Sequence, residues 1–348
     1  MAAIVGFGTA LPPHYVSVDE TKRALGRAYA PRIANRFARL VDSSGISGRY
    51  VAVPVDELLA RTSIEDRDRA YAGHALTLAR TAVQRALEDA ATAAADCEAI
   101  VCVSCTGYML PSLESHLAAE MGIDPHARRV PIGGLGCSAG VAALALGAQL
   151  VRPGAHRSVL VVSVEICSLC LQTDEPSVDD VIGSILFADG AAAAVVADGP
   201  ALVEVCAARS VLWPGTSDKL GMRLSRSGFR LILSNEIGRL LQPRIGPWVE
   251  SFLAAAGVRF AEPEFFVVHP GGPRILQAIG EGLALDPQHL APSAQVLDEL
   301  GNLSSATVFA ILERIRKRPP RPGSLGLMMA VGPGLTCELL LLRWGGVA

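Results

Sequence analysis

The sequence predicts an α/β fold made of two comparable halves. Three observations carry this. Apolar strand-like runs alternate with helix-like segments along the chain, which argues for buried sheets flanked by helices. The 348 residues exceed one ordinary core and require two domains or one large two-part fold. The strand–helix series also falls into two sets, 1–200 and 201–348, dividing after the run Ala192–Ala197.

In the first half, Ala99–Cys105 is a continuous apolar run and predicts a buried strand. Leu113–Met121 predicts a short helix, with Ser112 placed to cap its start. Arg129–Ile132 predicts a second strand, and Gly133-Gly134-Leu135-Gly136 a turn. Cys137–Val151, rich in Ala and Leu, predicts a helix that stops at Pro153-Gly154. Ser158–Glu165 is another buried strand. Ser184–Val196 predicts a tight turn at Asp189-Gly190 and a further strand.

The second half repeats the alternation. Ile245–Ala256 predicts a helix, Phe265–His269 a strand ending at Pro270-Gly271-Gly272-Pro273, and Arg274–Leu283 a helix. Asn302–Lys317 predicts a longer helix whose basic end suits a helix C-terminus. Leu325–Ala330 and Glu338–Trp344 predict a closing strand pair around Gly332-Pro333-Gly334. Two such halves place a reactive site between them.

Composition narrows the function. The chain is 50% hydrophobic and 19% charged, the balance of a well-buried globular enzyme. Its net charge of −3 gives no basic face of the kind nucleic acid requires. Met1-Ala2-Ala3-Ile4-Val5-Gly6 has no basic region or long apolar run, so no secretory signal is expected. No stretch of about 18 apolar residues predicts a membrane span. A cytoplasmic setting with reduced thiols follows for the eight cysteines.

Cys137 is the sharpest chemical signal. It follows a glycine-rich turn and starts a predicted helix, where backbone N–H groups and the helix dipole favour a thiolate. Such a thiolate is a nucleophile, and the glycines leave room for a substrate carbonyl. The same position also suits a buried structural cysteine. His269 differs from the other histidines by ending an apolar strand before a flexible turn, where α/β active sites form. It reads equally as a packed core histidine. Asn302 reads as a helix N-cap or as an amide donor aimed at a thioester oxygen. Two Cys-x-x-Cys pairs, Cys102/Cys105 and Cys167/Cys170, raise zinc and thioredoxin-type redox chemistry. Both lie in or just past strand-like runs, without zinc-ribbon knuckles and without opening a helix, so neither metal nor redox pairing is expected.

Four motifs occur in order: Gly134-Leu135-Gly136-Cys137-Ser138-Ala139-Gly140, His269-Pro270-Gly271-Gly272-Pro273, Gly301-Asn302-Leu303-Ser304-Ser305-Ala306 and Gly332-Pro333-Gly334-Leu335-Thr336. Together they resemble the type III polyketide synthases, the chalcone-synthase-like family of bacterial type, from about Ala3 to Trp344. The resemblance implies a thiolase fold whose two similar halves form a layered αβαβα core. It implies a homodimer acting on acyl-CoA and malonyl-CoA without a metal or other cofactor. Cys137 would carry the acyl group, and His269 and Asn302 would stabilise the enolate and the thioester oxyanion.

Further roles carry over by the same resemblance. Phe187 matches the aromatic between CoA tunnel and cavity, and Arg230 falls at the second such position beside Phe229. Cys105, Leu110, Cys167, Cys170, Met222, Ser304 and Gly334 match substrate-contacting positions, and Glu165 a buried acid near the nucleophile. Arg36 and Arg39 match positions that hold CoA phosphates, Gly271 and Gly272 match CoA-binding positions, and Ser43 replaces a third basic residue. Val103–Tyr108 and Cys167–Cys170 look like bacterial tetrahydroxynaphthalene synthases, which use only malonyl-CoA. Gly228–Ser234 and Leu339–Trp344 look more like alkylpyrone and alkylresorcinol synthases, which take fatty acyl-CoA. A fatty or medium-chain starter is expected, closing to a pyrone, resorcinol or similar aromatic product. A ketoacyl synthase III, a cysteine hydrolase and a non-catalytic acyl-binding protein on the same scaffold are the rival readings.

Overall fold

The computed structural model describes residues 2–60, 63–151, 156–173 and 176–346, with the side chains of Arg32 and Arg36 also outside the description. The expected helix stop at Pro153-Gly154 therefore lies outside the described residues. In chain order, β1 (Ala2–Ala10) leads to the small antiparallel pair β2 (His14–Ser17) and β3 (Gly48–Val51), which bracket α1 (Val18–Ala28) and α2 (Pro31–Asp42). Next come α3 (Val55–Ala60), α4 (Ile64–Asp89), β4 (Ala99–Val103), α5 (Leu113–Met121) and β5 (Arg128–Ile132). A 3₁₀ turn at Gly136–Ser138 opens α6 (Ala139–Leu150), followed by β6 (Ser158–Ile166), α7 (Val178–Leu186) and β7 (Asp189–Asp198).

The second half begins with β8 (Val203–Leu212) and the hairpin β9 (Leu220–Ser225) with β10 (Gly228–Leu233). It continues through α8 (Ile237–Ala255), β11 (Phe265–Val268), α9 (Pro273–Gly282) and α10 (Ala291–Leu300). A 3₁₀ turn at Ser304–Ala306 opens α11 (Thr307–Arg316), and β12 (Leu325–Gly332) and β13 (Thr336–Trp344) close the chain.

Nine strands form one mixed sheet in the order β11-β12-β13-β8-β1-β7-β6-β4-β5. The halves join where β1 meets β8 through two residue pairs, Ala3↔Glu204 and Ile4↔Val203. The alternation of side chains along each strand sorts the core into layers. Val101, Val161 and Ala194 face inward onto α6 and α11, as do Val267, Met328 and Leu340 from the other half. Ile100, Val162 and Ala193 face outward under α4 and α5. Phe266, Met329 and Leu341 face outward under α8 and α9. Strands buried on both faces lose their polar alternation, which is why Ser158–Ile166 is buried throughout. The result is the expected αβαβα layering, with α6 and α11 in the central layer.

Several elements differ from expectation. Asp189-Gly190 is not a turn but the start of β7, pairing with Ile166 and Glu165. The Asp189 carboxylate is satisfied inside the fold, so a turn-forming dipeptide sits in a strand. Ser112 occupies the N-cap of α5 without a side-chain cap bond and donates instead to Glu114 at 2.5 Å. Helix α8 starts at Ile237, well before Ile245, and runs through Pro243 and Pro247. Its buried stripe Leu241, Ile245, Val249 and Phe252 anchors it to the sheet and overrides the proline signal. Asn302 is not a helix N-cap; α11 begins five residues later.

Candidate active site

Cys137 sits in the 3₁₀ turn between β5 and α6, one turn earlier than a helix proper. Gly136 has φ +52°, and a Cβ there would lie 2.7 Å from Pro333. Glycine therefore lets this turn press against Gly332-Pro333-Gly334. Gly140, in the first turn of α6, comes so close to the Ser304–Ala306 turn that a Cβ would lie 2.1 Å from the Ser305 carbonyl oxygen. These two approaches bring the Cys137 sulfur to 3.7 Å from Ser304 Oγ.

His269 extends β11, its N–H donating to Met329 O at 2.9 Å. The imidazole is 2% exposed, and neither ring nitrogen has a hydrogen-bond partner. Burial pushes its pKa down to about 4, so the ring is neutral at physiological pH. A neutral imidazole with two unbonded nitrogens keeps one donor and one acceptor unused.

Asn302 is stitched to the segment before β7. Its N–H donates to Leu186 O at 2.8 Å, and Ala188 N–H donates to Asn302 O at 2.9 Å. Its Oδ1 accepts the Ser304 N–H at 2.8 Å, which fixes the amide orientation and leaves Nδ2 as donor. Nδ2 reaches Gly271 O only at 3.5 Å. Asn302 thus bridges the turn after His269 to the Cys137 turn.

Burial works against the thiolate that the place of Cys137 in the sequence suggests. Burial pushes the Cys137 pKa up to about 12, the Ser304 hydroxyl lowers it, nearby Glu165 raises it, and the Asn302 amide lowers it. Burial outweighs the hydrogen bonds because the site is enclosed. Glu165 is fully buried and accepts from Ser305 Oγ at 2.5 Å, Thr106 Oγ1 at 3.0 Å and Cys105 N–H at 3.1 Å. Burial raises its pKa despite these bonds. The Cys105 sulfur lies 3.4 Å from both Glu165 oxygens and 3.7 Å from Ser304 Oγ, so Ser304 stands between two thiols.

Cys137 opens onto a cavity of about 530 Å³. Cys105, Cys167, Cys170, Phe187, Met222, Ser304 and Gly334 share its wall, so the structure gathers seven of the expected substrate-contacting residues. Leu110 does not join them: its side chain is 83% exposed, beyond the end of β4. Arg230 is also misplaced by the sequence reading. On β10 it pairs with Asp180 at 3.2 Å, while its neighbours Phe229 and Leu231 line the cavity. Arg39 is exposed on α2, Ser43 caps that helix, and the Arg36 side chain lies outside the described residues. Gly271 and Gly272 lie in the turn leading to α9.

Sequence reasoning missed one lobe of this cavity, which lies against α1, β3 and α3. Thr21, Ala24, Leu25 and Ala28 line it from α1 and Val55, Leu58 and Leu59 from α3. The α1 set follows the i, i+3, i+4, i+7 spacing of one helix face, a signal the sequence does carry. All eight cysteines are free thiols, and no cluster of metal-ligating side chains occurs among the described residues.

Residues 1–200 match the chalcone and stilbene synthases, N-terminal domain, and residues 204–345 match the chalcone and stilbene synthases, C-terminal domain. The chain belongs to the chalcone and stilbene synthase family. It is a type III polyketide synthase, an acyltransferase that forms C–C bonds by Claisen condensation. This synthase is 36% identical to a 1,3,6,8-tetrahydroxynaphthalene synthase of Streptomyces peucetius subsp. caesius, over 98% of this chain and 93% of the relative. It is 31% identical to a putative chalcone synthase of Bacillus subtilis, over 99% of each chain. The crystal structure of the tetrahydroxynaphthalene synthase of Streptomyces coelicolor superposes with a TM-score of 0.93 at 33% identity, over 99% of this chain and 100% of that one. These likenesses carry the thiolase fold. No helix among the described residues of the synthase is long and apolar enough to cross a membrane.

Proposed function

We propose that this synthase loads a fatty or medium-chain acyl group from acyl-CoA onto Cys137, extends it with malonyl-CoA, and closes the chain to a pyrone, resorcinol or similar aromatic ring. The observation that carries the starter is the apolar lobe between α1 and α3, where Leu25, Ala28, Val55, Leu58 and Leu59 offer an aliphatic tail a dry wall.

The chemistry follows from the site. The Cys137 sulfur attacks the acyl-CoA carbonyl while its proton passes to His269; CoA leaves as thiolate and takes that proton. Malonyl-CoA then loses CO2 from its carboxylate, and the electron pair of the broken C–C bond becomes an enolate. The enolate oxygen accepts hydrogen bonds from His269 and Asn302 Nδ2, donors held ready in a water-poor site. The enolate carbon attacks the Cys137 thioester, a C–C bond forms, and Cys137 sulfur leaves. One CO2 is released per extension. Arg39, with Arg36, and the Gly271-Gly272 turn would receive the CoA phosphates and pantetheine. A second copy of the chain would cover the open edge of β5 and the exposed Leu110.

A second reading has its own support. Three relatives at 32–36% identity bear the name 1,3,6,8-tetrahydroxynaphthalene synthase, and Cys105, Cys167 and Cys170 line the cavity. On that reading malonyl-CoA is the sole substrate. A panel of starter acyl-CoAs with labelled malonyl-CoA, followed by product mass analysis, separates the two. Pyrones or resorcinols carrying the starter's alkyl chain are expected. A naphthalene formed from malonyl-CoA alone, unchanged by any starter, replaces the first reading by the second. Absence of CO2 release with every starter sinks both.

A further inference from the structure

Arg49 is the only cationic side chain on the wall of the active-site cavity among the described residues. It extends from β3, and its Nη1 donates to Thr21 Oγ1 at 2.8 Å, its one side-chain hydrogen bond among the described residues. It enters no ion pair among the described residues. Asp189 lies near enough to act on Arg49 through its charge. That carboxylate is already satisfied by Ala52 N–H at 2.7 Å, Ser168 N–H at 2.7 Å and Ser168 Oγ at 2.5 Å.

The backbone makes room for Arg49 directly behind the catalytic amide. Gly301, which precedes Asn302, has φ +75°. A Cβ there would meet the Cβ atoms of Arg49 and Ala188 at 3.1 Å each. The missing side chain lets Arg49 pack against the Ala188–Asn302 stitch, on the wall that also carries Phe187. A guanidinium has five N–H donors in a planar fork that matches a carboxylate. Here one donor goes to a neutral hydroxyl. None of the guanidinium nitrogens is a buried polar atom left without a partner, and Arg49 stands on the cavity wall.

We propose that Arg49 binds the terminal carboxylate of a malonyl thioester inside the cavity. This rests on malonyl-CoA being the extender. Every other group on the wall is neutral except Asp180, whose charge is taken by Arg230. An entering carboxylate therefore finds one complementary partner. Loss of CO2 then removes the anion that Arg49 holds, so the contact selects a carboxylated thioester over an acetyl one at binding and is released by the reaction. The same carboxylate arises from two sources: malonyl-CoA arriving as extender, or a malonyl group carried on Cys137 as starter.

The test compares wild type with Arg49→Met and Arg49→Lys. Two readouts are taken: acylation of Cys137 by hexanoyl-CoA, followed by intact mass, and the malonyl-CoA dependence of extension on hexanoyl-loaded enzyme. Arg49→Met is expected to raise the malonyl-CoA KM about 10- to 100-fold, the loss of a charge-assisted pair, and to leave hexanoyl loading within about twofold. Arg49→Lys recovers part of the loss. An unchanged malonyl-CoA KM in Arg49→Met overturns the proposal, as does a parallel fall in hexanoyl loading, which would make Arg49 structural. A third arm incubates the enzyme with labelled malonyl-CoA alone and weighs Cys137. A malonyl adduct lost in Arg49→Met places the contact on the starter; an intact adduct with a raised extender KM places it on the extender. Failure of hexanoyl-CoA to acylate wild-type Cys137 would count against the fatty-starter reading instead, since the extender KM can also be read on malonyl-primed enzyme.

Discussion

The backbone N–H of Ser304 donates to the Oδ1 of Asn302 over 2.8 Å. Ser304 does this from φ +52°, a left-handed conformation that non-glycine residues rarely adopt. The bond turns the amide so that its N–H₂ is the group left for substrate.

Asn302→Asp separates the two halves of that amide's work. The carboxylate keeps the acceptor for Ser304 N–H and the shape of the side chain, and loses the donor. An anion would then face the developing enolate. Extension is expected to fall at least about 100-fold, the usual cost of losing one oxyanion donor. The Tm should fall somewhat, since a carboxylate is then buried, and Cys137 should still acquire an acyl adduct by mass. Loss of the adduct together with extension would show that Asn302 acts at loading instead.

Much of this site was legible in sequence, because four glycine-bearing motifs mark places where backbones approach one another. Gly136 against Pro333 and Gly140 against Ser305 join the first of them to the fourth and the third. What was not legible depends on strand phase and tertiary packing. Arg230 and Phe229 are neighbours on β10, and a one-residue slip exchanges the cavity face for the other face. The sequence placed the wrong one of the pair at the cavity. Leu110 could be aligned but its exposure could not, since that depends on how the chain leaves β4. Arg49 belongs to no motif; only the β2–β3 pairing and the gap at Gly301 place it by Asn302. The burial that opposes the Cys137 thiolate was hidden for a similar reason, because helix position is local and burial is not.

Gly140→Ala tests the approach of α6 to the Ser304–Ala306 turn. The added methyl would lie 2.1 Å from a backbone oxygen, which cannot rotate away. The helix and the turn must separate, at a cost of about 1–3 kcal/mol for overpacking, and Cys137 moves from Ser304. A lower Tm with slower acylation is expected. Gly73→Ala is the contrasting change: it lies within α4 with nothing within 4 Å of the new Cβ. It should stabilise by about 0.5–1 kcal/mol, measured by denaturant titration, with acylation unchanged.

The protonation of Cys137 predicts a particular pH profile. With the thiol pushed up to about 12 and the His269 imidazole down to about 4, the free enzyme holds both as neutral groups across the physiological range. Alkylation of Cys137 by iodoacetamide should then rise about tenfold per pH unit from pH 7 to 9, following the thiolate fraction, without a plateau. Peptide mass mapping isolates this cysteine from the other seven. A rate already level at pH 7 would show a resting thiolate–imidazolium pair.

Asp189 gives the last prediction, on stability. Burial pushes its carboxyl up to about 6, against an ordinary value near 3.8, although Ser168 and Ala52 supply three hydrogen bonds and Arg49 a nearby positive charge. A raised acid is protonated in the folded state at pH values where the unfolded chain has already released its proton. Between about pH 4 and 6 the folded protein binds the extra proton, so this group's contribution to stability falls as pH rises through that window. The full effect is of order 3 kcal/mol for a shift of about two units. Asp189→Asn removes the titration and also turns an N–H₂ toward donors that need an acceptor, a loss of about 1–3 kcal/mol. The variant should therefore be less stable than wild type at pH 4, with the gap shrinking as pH rises to 7. Chemical denaturation at fixed pH values measures the gap; a constant or widening one would mean that Asp189 is ionised in the fold throughout, its charge held by Arg49.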